Sequence, residues 1–223
     1  MTAGFCASEI GRLSGCLCRL MPHLRLGDVA VTGGVAIQLG MAELGLEGSR
    51  KTIDDLDLVA LSLEAVTPGI AASFLVSHYH VVQPGVPKFM VQLVEPVSGI
   101  RVDIFPDLVG SLTRARAVTI GRRSVRMLAL QDILEHKLQT ISKASRADPV
   151  DPKHARDALM LGTRFGRMIP GVAEGSLIED VYGTDVNASC RPCELSSSAE
   201  FPLAPRNQIF NLLGWMPTRS SCR

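Results

Sequence analysis

Apolar residues recur at helical spacing over 5–21. Ile10, Leu13, Leu17 and Leu20 fall on one face of a predicted helix that Pro22 ends. The pattern then changes period. Asp28-Val29-Ala30-Val31-Thr32 reads as a short strand running straight into Gly33-Gly34. Val35, Ile37, Leu39, Met41 and Leu44 predict a mostly buried helix over 35–44, which Gly45 and Gly48 break. The next stretch, Thr52-Ile53-Asp54-Asp55-Leu56-Asp57-Leu58-Val59, alternates with a period of two. Successive side chains of a strand point to opposite faces, so Asp55 and Asp57 share one face and Leu56 and Leu58 the other.

Beyond this, residues 65–77, with Thr67-Pro68 near their start, predict a helix, because proline suits a first helical turn. Residues 78–83 and 88–95 read as two strands joined by Pro84-Gly85-Val86-Pro87. Ile100-Arg101-Val102-Asp103-Ile104-Phe105 alternates again, with Val102 and Ile104 on one face and Asp103 on the other. A hairpin turning at Gly121 is expected over 117–128. An amphipathic helix follows over 130–144, with Ile133, Leu134, Leu138 and Ile141 as its apolar stripe. Lys153 to Leu161 predicts the next helix. Further on, the pattern supports a helix near 173–182, a Cys190-Arg191-Pro192-Cys193 turn, a Ser196-Ser197-Ser198 loop and a short helix at 206–213.

Composition narrows the class. Of the 223 residues, 46% are hydrophobic and 20% charged, so a sizeable core is available and a disordered chain is excluded. A net charge of +1 gives no global field towards nucleic acid or acidic lipid. No apolar run approaches the length of a membrane span, and no basic-then-apolar leader opens the chain. The six cysteines sit at the two ends, and a chain of this length does not need a disulfide framework. A reducing cytoplasmic location is the expectation.

Three pieces carry chemistry. The Gly33-Gly34 turn lies between a strand and a helix, where backbone N–H groups and the helix N-terminus make a phosphate cradle. Asp55 and Asp57 follow on the next strand, and Asp103 stands on a later strand that can lie beside the first. Adjacent carboxylates repel each other unless a proton or cation sits between them. Hard oxygen ligands suit Mg²⁺, which takes one or two carboxylates plus substrate phosphates. Three such acids facing a phosphate cradle can hold one or two Mg²⁺ (or Mn²⁺) ions over a nucleoside triphosphate. Asp103 is also placed to take a proton from an attacking hydroxyl.

The order of these pieces resembles the nucleotidyltransferase superfamily, and most closely its small prokaryotic branches, the abortive-infection type and related uncharacterised nucleotidyltransferase-like proteins. The residues that carry the resemblance are Val31-Thr32-Gly33-Gly34-Val35-Ala36, Arg50-Lys51-Thr52-Ile53-Asp54-Asp55-Leu56-Asp57-Leu58 and Val102-Asp103-Ile104. Leu130 to Leu138 and Lys153-His154-Ala155-Arg156-Asp157 extend it, so that it spans roughly 28–162. The resemblance implies an α+β fold: a nucleotidyltransferase-like mixed β-sheet flanked by helices, with a helical C-terminal part. Divided accordingly, 1–27 is an N-terminal helix, 28–128 the core, and 129–223 a helical region with the Cys-x-x-Cys turn.

It further implies metal ligation and catalysis by Asp55, Asp57 and Asp103. Thr32, Gly33, Gly34, Arg50, Lys51 and Lys137 would bind the nucleotide, with Lys137 reaching the triphosphate. The implied reaction moves a nucleotidyl group to a hydroxyl on a protein, an RNA or a small molecule. A toxin–antitoxin or phage-defence setting, with a cognate protein partner, is implied by resemblance alone. The alternative is a catalytically silent module that binds a partner protein or a nucleotide. Val35 stands where polymerase-like members carry a serine, so a hydroxyl contact to phosphate is missing.

Rival readings fit less well. A dinucleotide fold needs G-x-G-x-x-G, but after Gly33-Gly34 the next glycine is Gly40. An EF-hand loop lacks its central glycine here. Arg114, Arg116, Arg122, Arg123 and Arg126 read as a solvated face; contact with a nucleic-acid backbone is the other reading, and no aromatic residue is interleaved for stacking. His136 and His154 read as helix-surface or packing residues. Cys190 and Cys193 look like half a zinc knuckle, yet a structural zinc takes four ligands and only Cys222 follows. Reduced cysteines in a turn, or a disulfide on oxidation, are the other readings of that pair.

Overall fold

The computed structural model describes residues 4–46, 52–80, 89–142 and 152–165. These divide into two compact units, one running to Met127 and the other beginning at Leu128. In the first unit, helix α1 (Ala7–Leu20) precedes strand β1 (Val29–Thr32) and helix α2 (Gly33–Glu43). Strand β2 (Asp55–Ala60), the one-turn helix α3 (Ile70–Ser73) and strands β3 (Leu75–His80), β4 (Met90–Val94) and β5 (Arg101–Pro106) follow. The hairpin β6 (Arg116–Ile120) and β7 (Arg123–Met127) closes the unit. The second unit pairs α4 (Leu130–Ser142) with α5 (Pro152–Phe165). The architecture is α+β.

The seven strands form one mixed sheet in the order β3-β4-β5-β2-β1-β7-β6. Strand β2 lies near its middle, antiparallel to β1 and parallel to β5. Its Leu56 and Leu58 are buried, as are Val102 and Ile104 of β5 and Val91 and Leu93 of β4. All six point to the face opposite Asp57. Helix α1 covers that face: Leu17 shares a cavity of about 270 Å³ with Val31 and Leu58. Leu13, Leu17 and Leu20 are buried as the predicted stripe requires, Cys16 joins them, and Ile10 is only half-buried.

Two buried acids fasten this helix to the ends of the central strands. Glu9 Oε2 accepts the Ile53 amide at 2.7 Å, just before β2 begins. Glu95 accepts Arg19 Nε at 2.8 Å and Arg19 Nη2 at 2.9 Å, while its carboxylate also takes the Val97 and Ser98 amides in the turn before β5. Burial by itself would raise the Glu95 pKa, but Arg19, the Ser98 hydroxyl and these amides outweigh it and bring the group down to about 2.

Several expectations are corrected. The helix expected over 65–77 is a 3-10 turn at Leu63–Ala65 and the single turn α3, after which the chain becomes extended at Phe74. From Leu75 the backbone pairs with β4, Leu75 opposite Val94 and Val76 opposite Leu93, so sheet pairing overrides the local helical pattern. Helix α2 begins at Gly33 instead of Val35, and Leu44 is exposed. Helix α5 runs to Phe165, past the expected end at Leu161. The elements expected beyond 171, with Cys190 and Cys193, lie outside the described residues, as do the outer ends of the two strands around Pro84-Gly85.

Candidate active site

The acids are brought together by register. In the parallel β2–β5 pair, Asp57 lies opposite Asp103 and Asp55 opposite Arg101. Residues opposite each other on paired strands project to the same face. Asp55, Asp57, Arg101 and Asp103 therefore form a square on the face that α1 leaves open. Asp54 stands outside the strand, exposed, with the Thr52 hydroxyl 3.4 Å from its Oδ2.

The Gly-Gly turn closes over this square. Thr32, the last residue of β1, pairs with Asp57 across the antiparallel β1–β2 ladder. The chain then turns into α2 through Gly33, whose φ is +62°, a conformation that costs other residues. A Cβ at Gly33 would lie 2.6 Å from Asp57 Cγ and 2.8 Å from Asp57 Cβ. Glycine is thus demanded twice, by the backbone and by the carboxylate pressed against it. Thr32, Gly33 and Gly34 are all buried at this point.

Asp103 is the most enclosed of the acids, 6% exposed. Burial raises its pKa above the ordinary carboxylate value; the Arg101 charge opposes, the Asp55 charge adds, and hydrogen bonds from Arg101 and Gln92 oppose. Gln92 of β4 sits directly opposite Asp103, and His78 of β3 opposite Gln92, which continues the polar row to the sheet edge. Arg101 Nε donates to Asp103 Oδ2 at 3.1 Å, and its Nη2 approaches Asp55 Oδ2 at 3.4 Å. Among the described residues, Asp103 Oδ1 is buried without a hydrogen-bond partner. A buried carboxylate oxygen in that condition is satisfied by a water, a proton or a cation. Oxygen donors from three acids fit Mg²⁺ or Mn²⁺ in kind. Among the described residues, however, no three His, Cys, Asp or Glu side chains stand in a metal-binding group. Arg101 lies between Asp55 and Asp103, while Asp57 is turned against Gly33.

Arg101 and Gln92 were not singled out as site residues from the sequence. Arg101 had a legible signal, since it lies two residues before Asp103 and so shares its face. Gln92 had none, because its place depends on the β4–β5 register. Of the expected nucleotide ligands, Arg50 and Lys51 lie outside the described residues. Lys137 pairs within the helical unit, its Nζ 3.0 Å from Asp157 Oδ2 and 3.0 Å from His154 Nδ1. The arginine cluster is partly engaged: Arg116 pairs with Glu43, and Arg126 donates to the carbonyls of Gly27 and Leu112. A larger cavity, about 790 Å³, is lined by Leu61, Tyr79, Phe89, Pro106 and Leu108 at the far ends of β2 and β5, and none of the three acids borders it.

Strand, Gly-Gly turn, helix, acidic strand and later acidic strand follow one another in the order the sequence pattern leads one to expect. No family model matches the chain, and no curated protein matches it. Solved structures do. An antigenic nucleotidyltransferase-like protein from Paracoccidioides brasiliensis is similar at 18% identity, covering 82% of this chain and 87% of its own, with a TM-score of 0.39. The antibiotic-resistance factor ANT(2'')-Ia is similar at 16% identity over 82% of this chain and 90% of its own, TM-score 0.45. JHP933 from Helicobacter pylori is similar at 12% identity over 79% and 75%, TM-score 0.42. Among the described residues, no helix is long and apolar enough to cross a membrane.

Proposed function

We propose that this protein transfers a nucleotidyl group from a nucleoside triphosphate to a hydroxyl acceptor, in a Mg²⁺- or Mn²⁺-dependent reaction. One observation carries the reading: Asp57 and Asp103 stand opposite each other on neighbouring strands, beside the glycine that opens α2. Asp55, Asp57 and Asp103 would hold the cation, which supplies charge neutralisation at the phosphates when bound. Thr32, Gly33 and Gly34 lie where backbone N–H groups at the start of α2 favour an anion. Asp103, whose burial favours its protonated form, accepts the acceptor's hydroxyl proton. The hydroxyl oxygen bonds to the α-phosphorus as the bond to the bridging oxygen breaks, and pyrophosphate leaves. Arg50, Lys51 and Lys137 remain nucleotide-binding candidates; Lys137 would first exchange its Asp157 partner for phosphate.

The acceptor is a protein side chain, an RNA end or a small molecule. A cytoplasmic toxin–antitoxin or phage-defence setting, with a cognate protein partner, follows from the resemblance of the motifs. The test incubates the full chain with α-labelled nucleoside triphosphates and Mg²⁺ in a lysate of acceptors. Label transfer that disappears in D55A/D57A supports the reading; label transfer unchanged in that variant, or none with any triphosphate, contradicts it. A second reading has its own observation. The Arg101 bridge between two of the acids favours a silent module that binds a nucleotide or a partner protein without chemistry. Nucleotide binding without label transfer would select it.

A further inference from the structure

We propose that Arg101 is a built-in counter-ion that occupies the cation position between Asp55 and Asp103 and must leave it before a divalent ion binds, so that Arg101 sets the metal affinity of the site. The inference rests on the metal-dependent reading above. Strand alternation puts Arg101 on the same face as Asp103, and the β2–β5 register puts it opposite Asp55. A single side chain therefore reaches both acids, at 3.1 and 3.4 Å.

Two features suit this bridge to exchange and not to permanence. The guanidinium contacts Asp103 through Oδ2 and leaves the buried Oδ1 without a hydrogen bond. A fixed structural pair would use both oxygens in the parallel two-bond geometry that arginine favours. Glu95, in the same unit, is held in that way by Arg19. The Arg101 side chain is also 46% exposed, so its head can move into water without crossing a buried environment. Once released, Arg101 remains on the acid face as a cation for an anionic triphosphate.

The test titrates the full chain with Mn²⁺ alone and follows free Mn²⁺ by electron paramagnetic resonance. R101Q is expected to bind Mn²⁺ roughly tenfold more tightly than wild type, equivalent to about 1.4 kcal/mol, the scale of two part-exposed ion pairs. R101K, which keeps the charge but cannot span both acids, should fall between them. D103N should bind weakly. Mn²⁺ affinity in R101Q equal to or below that of wild type overturns the inference and leaves the proposed function standing. No Mn²⁺ binding by either protein overturns both. Should R101Q not fold, R101K decides: tighter binding than wild type supports the competition, and equal or weaker binding refutes it.

Discussion

Replacing Gly33 by alanine separates two costs that converge at the turn. With φ at +62°, an alanine takes a left-handed backbone, which costs about 1–2 kcal/mol. Its Cβ also lies 2.6 Å from Asp57 Cγ, and overpacking of this kind costs about 1–3 kcal/mol. Gly33→Ala should therefore lose about 2–5 kcal/mol in urea denaturation followed by circular dichroism. Gly45 supplies the control. Its φ is +71° and a Cβ there would meet nothing within 4 Å among the described residues, so Gly45→Ala carries only the backbone cost of about 1–2 kcal/mol. The excess at Gly33 belongs to Asp57. Adding Asp57→Ala to Gly33→Ala removes the carboxylate and should recover about 1 kcal/mol or more as a coupling energy. Equal losses at the two glycines, or no recovery in the double variant, would refute the close approach of Asp57 to the turn.

Two further predictions concern the bonds that hold α1. Glu95 titrates at about 2 in the folded protein against an ordinary 4.5, so its stabilisation is present above pH 4.5 and lost as pH falls towards 2. The loss should reach roughly 2–3 kcal/mol after allowance for the exposure of Arg19; urea melts at several acid pH values should show it in wild type and a flatter profile in Glu95→Gln. The same acid slope in both proteins would contradict the role of Glu95. Burial, reinforced by the Glu95 charge and opposed by Arg19, pushes the Cys16 thiol up to about 12. Iodoacetamide at pH 8 should label Cys6 and Cys18, which are exposed, and spare Cys16 until denaturant is added; mass spectrometry that finds Cys16 labelled as fast as Cys6 would contradict its burial.

Much of the sheet was legible because its central strands state their faces plainly. Asp55-Leu56-Asp57-Leu58 and Val102-Asp103-Ile104 alternate without interruption, and the structure buries their apolar members and turns the acids to the other side. The Gly33 turn was legible too, although the pattern concealed why glycine is needed: the pressure of Asp57 arises only when β1 and β2 pair. Register is where sequence reading stopped. That Asp57 faces Asp103, that Arg101 faces Asp55 and that Gln92 completes the row are facts of strand pairing across distant segments. The failure at 65–77 has the same origin. A helical local preference there yielded to the pairing of Leu75 and Val76 with β4.

The central claim is that this site moves the α-phosphorus of a triphosphate. It is tested most directly by parallel reactions with α-labelled and γ-labelled nucleoside triphosphate in Mg²⁺. The account predicts that α-label is retained covalently on the acceptor while γ-label appears only in pyrophosphate, and that both signals vanish in Asp57→Asn. Transfer of γ-label to the acceptor, or retention of α-label undiminished in Asp57→Asn, would contradict it.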